Sequence, residues 1–470
     1  MRPERTYAWS LAVVLVVALV LRLAIVFHGG QFFWGDESRY LTAENAWKQW
    51  ENGAGLRAGL REVMGSADHL GFKVMMLGPA WVQRHTTGSY LIPSVLVSLF
   101  SLLNIVWVWL IARRAGGSDR EAFWAAAAMA GAASMFYWAR HLMPYDLALC
   151  WALGCLYVAV KPLAKLRDSV LAGTLGCFAF VTYNGYWAIV ACALIAHVLL
   201  AWPNRRAFLL RAAGGLAGLV GSFVVIGETV RHLLDVSLIA SYRDFAETIN
   251  QGEFHEGALV FFDYLWRTER GTALLWGAAI PAAAWWFRRV DHPTCRRGIL
   301  WIAAIVALTG ILVVGANVLE KFVVYGRLVR QVAPFCALLV GWTVARIFQD
   351  LPPLRTRECA ALAVLVVCAG WSMATPLRQE FPATFHHRAM VWVDDYRKVH
   401  PELRREKFQH LHLGFIWPEA DRTAQPPHEI LLEHPHPLAW RPYLYEGFSR
   451  AQRDQIEGTD IRMRLILLKD

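Results

Sequence analysis

Acidic residues stand at the edges of long apolar runs in this chain, where a carboxylate is costly unless it has a function. Asp36 and Glu37 follow the first apolar run, and Asp146 comes two residues after Pro144 at the start of another. A carboxylate in such a place can remove a proton from a hydroxyl group. The alternative is structural: Asp36 suits a helix N-cap, and Glu37 and Asp146 suit the first turn of a helix.

Basic and aromatic polar residues adjoin the same runs. They are His69, Lys73, Arg140, Tyr325, Arg327 and Arg330. Ammonium and guanidinium groups bind phosphate oxygens. Acids that accept a proton, together with cations that stabilise a departing phosphate, fit the transfer of a group from a phosphate to a hydroxyl. Snorkelling of a long side chain towards lipid headgroups is the alternative, and we favour it for Arg22.

The elements that must position these residues are membrane helices. The chain has 470 residues, of which 56% are hydrophobic and 18% charged, and this is too apolar for a soluble protein of its size. Stretches that can cross a hydrocarbon core of roughly 30 Å recur along it, and we predict about eleven spans in an all-α polytopic fold. They cover residues 8–27, 90–112, 123–139, 144–160, 169–181, 187–202, 209–226, 272–287, 299–319, 328–345 and 360–376.

Lysine and arginine concentrate in alternate connections, which predicts an odd number of spans with the N-terminus inside and the C-terminus outside. The net charge of +10 then reflects topology and attraction to anionic lipid, and no nucleic-acid partner is needed to explain it. We divide the chain into a transmembrane module, residues 1–376, and an extracytoplasmic domain, residues 377–470. Long outer loops are predicted at residues 29–89 and 228–270.

The C-terminal domain is expected to be a small α/β unit. Extended stretches are predicted at residues 410–417, 429–433 and 463–468, and helical ones at 392–398 and 449–456. His434 and His436 share a ligand spacing with no acidic or thiol partner, so we predict no metal site from them. No cofactor is certain, and a divalent metal stays an open alternative.

A helix is predicted from Asp36 to Trp50. Tyr40, Ala43 and Trp47 fall on one of its faces together with Trp50. This face can lie in the membrane interface or pack against the protein's own spans, and the sequence does not decide between the two.

Four segments carry a resemblance to a known class of enzyme. They are Gly35-Asp36-Glu37-Ser38-Arg39-Tyr40, the segment from Tyr137 to Asp146, Thr182-Tyr183-Asn184-Gly185-Tyr186-Trp187, and Tyr325-Gly326-Arg327 running into Pro334-Phe335. Over residues 10–345 the chain resembles the integral-membrane glycosyltransferases of the GT-C class. In particular, it resembles bacterial relatives of the protein O-mannosyltransferases and of the lipid A aminoarabinose transferase.

The resemblance implies transfer of a sugar, with inversion, from a polyprenyl-phosphate donor on the outer face of the bacterial cytoplasmic membrane. Asp36 would be the general base with Glu37 in support, and Asp146 would be the second acid of the site. The donor phosphate would be held by cations and polar groups drawn from Lys73, Arg140, Arg327, Arg330, Tyr325 and His69. A Glu-Lys-Pro-Pro segment of the aminoarabinose transferases is replaced here by residues 69–73, which leaves the sugar and any metal open.

A separate argument favours a lipid-borne donor. The predicted cytoplasmic connections are too short to hold a nucleotide-binding domain, so the chemistry is expected outside. The acceptor can be a glycolipid, a polysaccharide or a protein hydroxyl. The main rival is a lipid or sugar transporter or flippase, but such proteins place charges near the midplane and often contain repeats, which we do not find here. A structural subunit would leave the acidic motif as a helix cap alone.

Overall fold

The computed structural model describes residues 3–28, 39–66, 68–86, 91–250, 259–317, 326–349, 356–375, 429–433 and 462–466. Its α-helices are α1 (Pro3–His28), α2 (Leu41–Gln49), α3 (Leu56–Met64), α4 (Leu70–His85), α5 (Leu91–Arg114), α6 (Asp119–Ala130), α7 (Ala133–Tyr137), α8 (Tyr145–Ala159), α9 (Leu166–Thr182), α10 (Trp187–Leu199), α11 (Arg205–Leu234), α12 (Leu238–Asn250), α13 (Val260–Glu269), α14 (Gly271–Trp286), α15 (His292–Asn317), α16 (Gly326–Val329), α17 (Ala333–Ile347) and α18 (Thr356–Thr375).

The architecture is that of an all-α multi-pass membrane protein. In the described part of the chain, five helices are long and apolar enough to cross a bilayer, namely α1, α5, α11, α15 and α18, and α8 and α10 are shorter apolar helices. Large apolar side chains cover the outer faces of the five long helices: Val13 and Val16 of α1, for example, are 63% and 60% exposed. Such faces are stable in lipid and unfavourable in water.

The core is formed by α6, α8 and α17, whose side chains are almost all buried. Helices α6 and α17 approach closely at Gly341, where an added Cβ would lie 2.4 Å from the carbonyl oxygen of Glu121. Helices α9 and α11 touch in the same way at Gly218, where a Cβ would lie 2.0 Å from the carbonyl oxygen of Val170. Small residues at these crossings let the backbones pack directly against each other.

The predicted span at residues 123–139 is not one continuous helix. Helix α6 ends at Ala130, α7 begins at Ala133, and a 3₁₀ turn at Trp138–Arg140 leads to irregular backbone before α8. Carbonyl groups freed by such a break need partners inside a membrane protein. One face of α5 supplies them: Ser98 donates to Ala139 O (2.8 Å), Ser101 to Met135 O (3.0 Å) and Asn104 to Asp146 O (3.0 Å).

Helix α2 packs on the protein itself. Tyr40 and Ala43 are fully buried in a cluster with Phe72, Val97 and Leu142. Of the two alternatives for this face, packing against the chain's own helices is therefore correct for its first turns. Trp50, at the end of the face, is exposed. Helix α2 begins at Leu41, and the predicted helix start at Asp36 lies outside the described residues.

Two strands of the C-terminal region are described. Strand β1 (Glu429–Glu433) pairs antiparallel with β2 (Arg462–Ile466), and Leu431 stands opposite Arg464. The extended stretch predicted at residues 429–433 is thus confirmed, and β2 overlaps the one predicted at 463–468. The other predicted elements of this region, and His434 and His436, lie outside the described residues.

Candidate active site

A buried ion pair joins two of the residues singled out in the sequence. Arg330 Nη2 lies 2.5 Å from Asp146 Oδ1, and the two side chains are 0% and 1% exposed. Asp146 stands in the first turn of α8 behind Pro144, while Arg330 opens a 3₁₀ turn that leads into α17. The folding of α17 against the centre of the bundle brings these groups together across 184 residues of sequence.

The ion pair leaves hydrogen-bonding capacity unused. Among the described residues, Asp146 Oδ2 and Arg330 Nε and Nη1 have no hydrogen-bond partner. Buried charged groups are stable when their remaining lone pairs and protons are satisfied. An unsatisfied carboxylate oxygen beside an unsatisfied guanidinium edge can therefore receive a ligand that carries both hydroxyl and anionic oxygens.

A second polar group surrounds Asp68, in the turn before α4. Lys73 Nζ lies 2.9 Å from Asp68 Oδ1, and Arg39 Nε lies 2.6 Å from Asp68 Oδ2. Lys73 also donates to Ser66 Oγ at 2.9 Å, and Ser66 donates to Asp68. Arg39 is the fifth residue of the motif that begins at Gly35. Asp68 therefore ties the end of that motif to Lys73.

The charges of this group shift each other's pKa. Burial opposes ionisation of Asp68, but hydrogen bonds from Ser66 and Lys73 and the charges of Lys73 and Arg39 outweigh it, so the pKa of Asp68 lies below its usual range. Burial also lowers the pKa of Lys73, against the raising effect of its hydrogen bond and charge attraction to Asp68. The carboxylate of Asp68 thus pairs with two cations, Lys73 and Arg39, so these three side chains together carry a net positive charge.

Aromatic rings connect the two polar groups. The ring of Tyr183 lies 4.9 Å from that of Tyr145, next to Asp146, and 5.3 Å from that of His69, next to Asp68. Trp138 stands edge-on to Tyr145 at 5.0 Å. His69 adopts a left-handed conformation with φ of 53° at the start of α4. The aromatic wall that these rings form between the two polar groups is therefore built from α8, the turn after α9 and the start of α4.

The turn at residues 182–187 is packed tightly between the two groups. A Cβ added at Gly71 in α4 would lie 2.3 Å from Thr182 Oγ1, so α4 rests directly on the end of α9. On the other side, Gln331 donates to Gly185 O at 3.1 Å and accepts from the Ile189 backbone at 3.2 Å. This turn fixes the relative position of α4 and of the segment that carries Arg330.

The structure thus brings together segments that contain Asp146, Arg330, Lys73 and His69 at one end of the bundle. Asp36, Glu37 and Tyr325 lie outside the described residues. The backbones of Arg140 and Arg327 are described, in the 3₁₀ turn before α8 and in α16, and their side chains are not. Among the described residues, no three His, Cys, Asp or Glu side chains are grouped as metal ligands.

Three charged residues near the site were not assigned to it from the sequence. The first is Asp68, whose neighbours His69 and Lys73 are the residues that the sequence predicts for the site. Glu269 of α13 is buried and accepts from the backbone nitrogens of Ala133 (2.8 Å) and Ser134 (3.0 Å) at the start of α7. Burial raises the pKa of Glu269, against the opposing hydrogen bonds from Ser134 and Ala133. No local pattern distinguishes this residue from an outer-loop acid.

The third is Arg22, for which the snorkelling interpretation is wrong. Its side chain is 0% exposed and points into the bundle. It donates from Nε to Ser101 Oγ (3.0 Å), from Nη1 to Ala18 O (3.2 Å) and from Nη2 to Met135 O (3.5 Å). The sequence signal for this burial is the position of Arg22 in the distal half of α1, because a guanidinium there faces either lipid or a protein partner.

The chain shares its fold with the solved structures of ArnT, as the resemblance carried by the sequence motifs predicts. ArnT from Cupriavidus metallidurans bound to undecaprenyl phosphate matches with a TM-score of 0.51 at 17% identity, over 79% of this chain and 65% of ArnT. ArnT in the apo state matches with a TM-score of 0.53 at 16% identity and the same coverage. The chain therefore spans slightly less than two thirds of the length of ArnT.

An archaeal oligosaccharyltransferase, AglB from Archaeoglobus fulgidus in complex with an inhibitory peptide and a dolichol-phosphate, matches with a TM-score of 0.46 at 10% identity, over 78% of this chain and 55% of AglB. No family model matches the chain, and no curated protein matches it by sequence.

Proposed function

We propose that this protein is a glycosyltransferase that moves a sugar from a polyprenyl-phosphate carrier to an acceptor hydroxyl at the outer face of the bacterial cytoplasmic membrane. The observation that supports this most is the meeting of two acid–cation groups, Asp146–Arg330 and Asp68–Lys73, at one end of a fold shared with ArnT. The ArnT structure holds undecaprenyl phosphate, and we infer that the same kind of lipid is the carrier here.

In the proposed reaction the acceptor oxygen attacks the anomeric carbon of the sugar. The bond between that carbon and the phosphate oxygen breaks, its electron pair stays on the polyprenyl phosphate, and the acceptor proton passes to Asp36. Glu37 supports Asp36, and attack from the opposite face inverts the anomeric centre. Asp146, paired with Arg330 through Oδ1, offers Oδ2 to a hydroxyl of the bound substrates.

The donor phosphate is assigned to the cations around this site. Lys73 carries an ammonium that donates to Asp68 and Ser66, and a phosphate oxygen can accept from one of its three N–H groups. Arg330 contributes its unsatisfied Nε and Nη1. His69, Arg140, Tyr325 and Arg327 complete the proposed set. These donors would stabilise the charge that develops on the leaving phosphate.

The same proposal includes the topology. Eleven spans with the N-terminus inside put the acids and the phosphate-binding residues on the outer side, together with the loops at residues 29–89 and 228–270 and an α/β domain at residues 377–470. The acceptor is then a glycolipid, a polysaccharide or a protein in the cell envelope.

A deletion strain tests the function and identifies the sugar in the same experiment. Mass analysis of its envelope glycans and glycolipids is expected to reveal a missing sugar that the wild-type gene restores. A gene that encodes the Asp36→Asn variant should fail to restore it, because an amide side chain cannot take up the proton of the acceptor hydroxyl. An Asp263→Asn gene, altered at an exposed pair on α13, serves as the matched control and should restore it. Full restoration by Asp36→Asn would overturn the role of Asp36 as the base.

A further inference from the structure

Arg22 is a fully buried cation in the most apolar of the five candidate spans, where the mean hydropathy is 2.9. A guanidinium in such a helix is expensive unless it faces partners in the bundle. Each of its three side-chain nitrogens donates to a protein acceptor, and the side chain is fully buried, so neither lipid headgroups nor solvent explain its presence.

The acceptors of Arg22 lead to the break between α6 and α8. Arg22 and Ser101 both donate to the carbonyl oxygen of Met135 in α7, and Arg22 donates to Ser101 as well. At the start of α7, Glu269 accepts from the first two backbone nitrogens of the helix. This five-residue helix is therefore held at its start by Glu269 and at its middle residue by Arg22, both buried charged side chains.

Met135 also contacts the candidate site. Its Sδ lies 3.1 Å from Arg330 Nη2, the same nitrogen that pairs with Asp146. Arg22 is close enough to attract Asp146 and to repel Arg330 electrostatically. The carboxylate of Asp146 therefore interacts with two guanidinium groups, with that of Arg330 through an ion pair and with that of Arg22 at longer range.

We propose that Arg22 is a positioning residue of the transfer site. It fixes the α7 segment against which Arg330 and Asp146 are placed, and its charge adds to the positive field that receives the donor phosphate. The inference rests on the proposed function, and it adds to that function a residue of α1 that does not touch the substrate in this arrangement.

The binding of undecaprenyl phosphate to the purified full-length protein in detergent tests this inference. Arg22→Met removes the charge and the hydrogen bonds but keeps most of the volume, and Arg22→Lys keeps the charge. The matched control is Arg211→Met. Arg211 is likewise buried in an apolar helix and donates to His197 O (3.0 Å) and Pro162 O (2.6 Å), beyond the far end of α8.

We expect Arg22→Met to weaken binding by ~10-fold or more, because small displacements in a pre-organised site have large effects. Arg22→Lys should recover part of the loss, and Arg211→Met should bind as the wild type does even where its melting temperature changes. Wild-type affinity in Arg22→Met, or an equal loss in Arg211→Met, would overturn the inference. Failure of the wild type to bind the lipid would instead overturn the proposed function, and the inference with it.

Should Arg22→Met not fold, Arg22→Lys and Ser101→Ala decide the question. Ser101→Ala leaves the charge in place and removes one acceptor of Arg22 together with one donor to Met135 O. Both variants are expected to bind undecaprenyl phosphate more weakly than the wild type. Unchanged affinity in both would contradict a positioning role.

Discussion

Asp146 and Arg330 form a buried contact that stabilises the fold and that the proposed function also uses in the reaction. Each is buried, and each compensates the charge of the other at 2.5 Å. Removing one partner of such a pair leaves an uncompensated buried charge, whereas removing both does not. The pair is thus stabilised against separation, while Asp146 Oδ2 and Arg330 Nε and Nη1 have no hydrogen-bond partner among the described residues.

A double-mutant cycle measures this coupling. Asp146→Asn and Arg330→Met are each expected to lower the free energy of unfolding by about 3–5 kcal/mol. The double variant should lose clearly less than the sum, because no lone charge remains. Chemical unfolding in detergent provides the measurement. Strict additivity would mean that the two groups are not coupled in the protein.

Lys73 and Asp68 predict a specific pH dependence for lipid-phosphate binding. Lys73 binds phosphate only when protonated, and burial lowers its pKa below the usual value of about 10.4. Affinity for undecaprenyl phosphate should therefore fall as the pH rises through this lowered pKa. Asp68 stays ionised over the same range because its own pKa is lowered.

Asp68→Asn tests the assignment. Asp68 is the main group that raises the pKa of Lys73 against burial, so its loss should move the alkaline fall in affinity to lower pH. Asp263→Asn, which removes an exposed partner of Arg267 on α13, is the control and should leave the profile in place. A profile that Asp68→Asn does not move would show that Lys73 is not the titrating group.

At the scale of elements, the apolar pattern predicts where helices lie but not where one breaks. The predicted spans fall on helices, yet the span at residues 123–139 is interrupted at Gly131 and Ala132. Carbonyl groups between this break and the first turn of α8 accept hydrogen bonds from α5, from 34 to 42 residues away in the sequence. A local window cannot contain that information. The burial of Arg22 and Glu269 escaped prediction for the same reason.

The close contact between α4 and α9 at the site can be tested by replacing glycines of α4 with alanine. Gly71→Ala places a Cβ 2.3 Å from Thr182 Oγ1, so α4 must shift away from α9, and we expect weaker binding of undecaprenyl phosphate together with a destabilisation of about 1–3 kcal/mol. Gly78→Ala lies in the same helix with no atom within 4 Å of the new Cβ. The control should retain affinity and stability, and equal losses in both variants would rule out the contact as the cause.

For the whole molecule, the distribution of charge separates two ends of the bundle. The end with Asp146 and Lys73 carries the candidate site. At the other end, basic residues in and near the connections form ion pairs with acidic residues. There Glu121 Oε2 lies 2.8 Å from Arg346 and 3.4 Å from Arg297. The multi-pass helical fold, and the approach of the segments that carry Asp146 and Arg330, could be predicted from sequence. The partners of each charged group could not, because they depend on packing between distant helices.

Reporter fusions test the predicted orientation. A reporter enzyme that is active only outside the cytoplasm should be active when fused after Asp470, and inactive when placed in the connection at Gly116 and Gly117 between α5 and α6. The physical reason is the retention of arginine-rich connections on the cytoplasmic side. The reverse pattern of activity would place the candidate site inside the cell.

The most direct test of the central claim is transfer itself. Purified protein is incubated with undecaprenyl-phosphate sugars isolated from the organism and with an extract of its envelope acceptors, and release of free undecaprenyl phosphate is followed. We predict that the wild-type protein releases the lipid only when acceptor is present, and that Asp36→Asn releases almost none while still binding it. Acceptor-dependent release at the wild-type rate by Asp36→Asn, or no release by the wild type, would contradict the account.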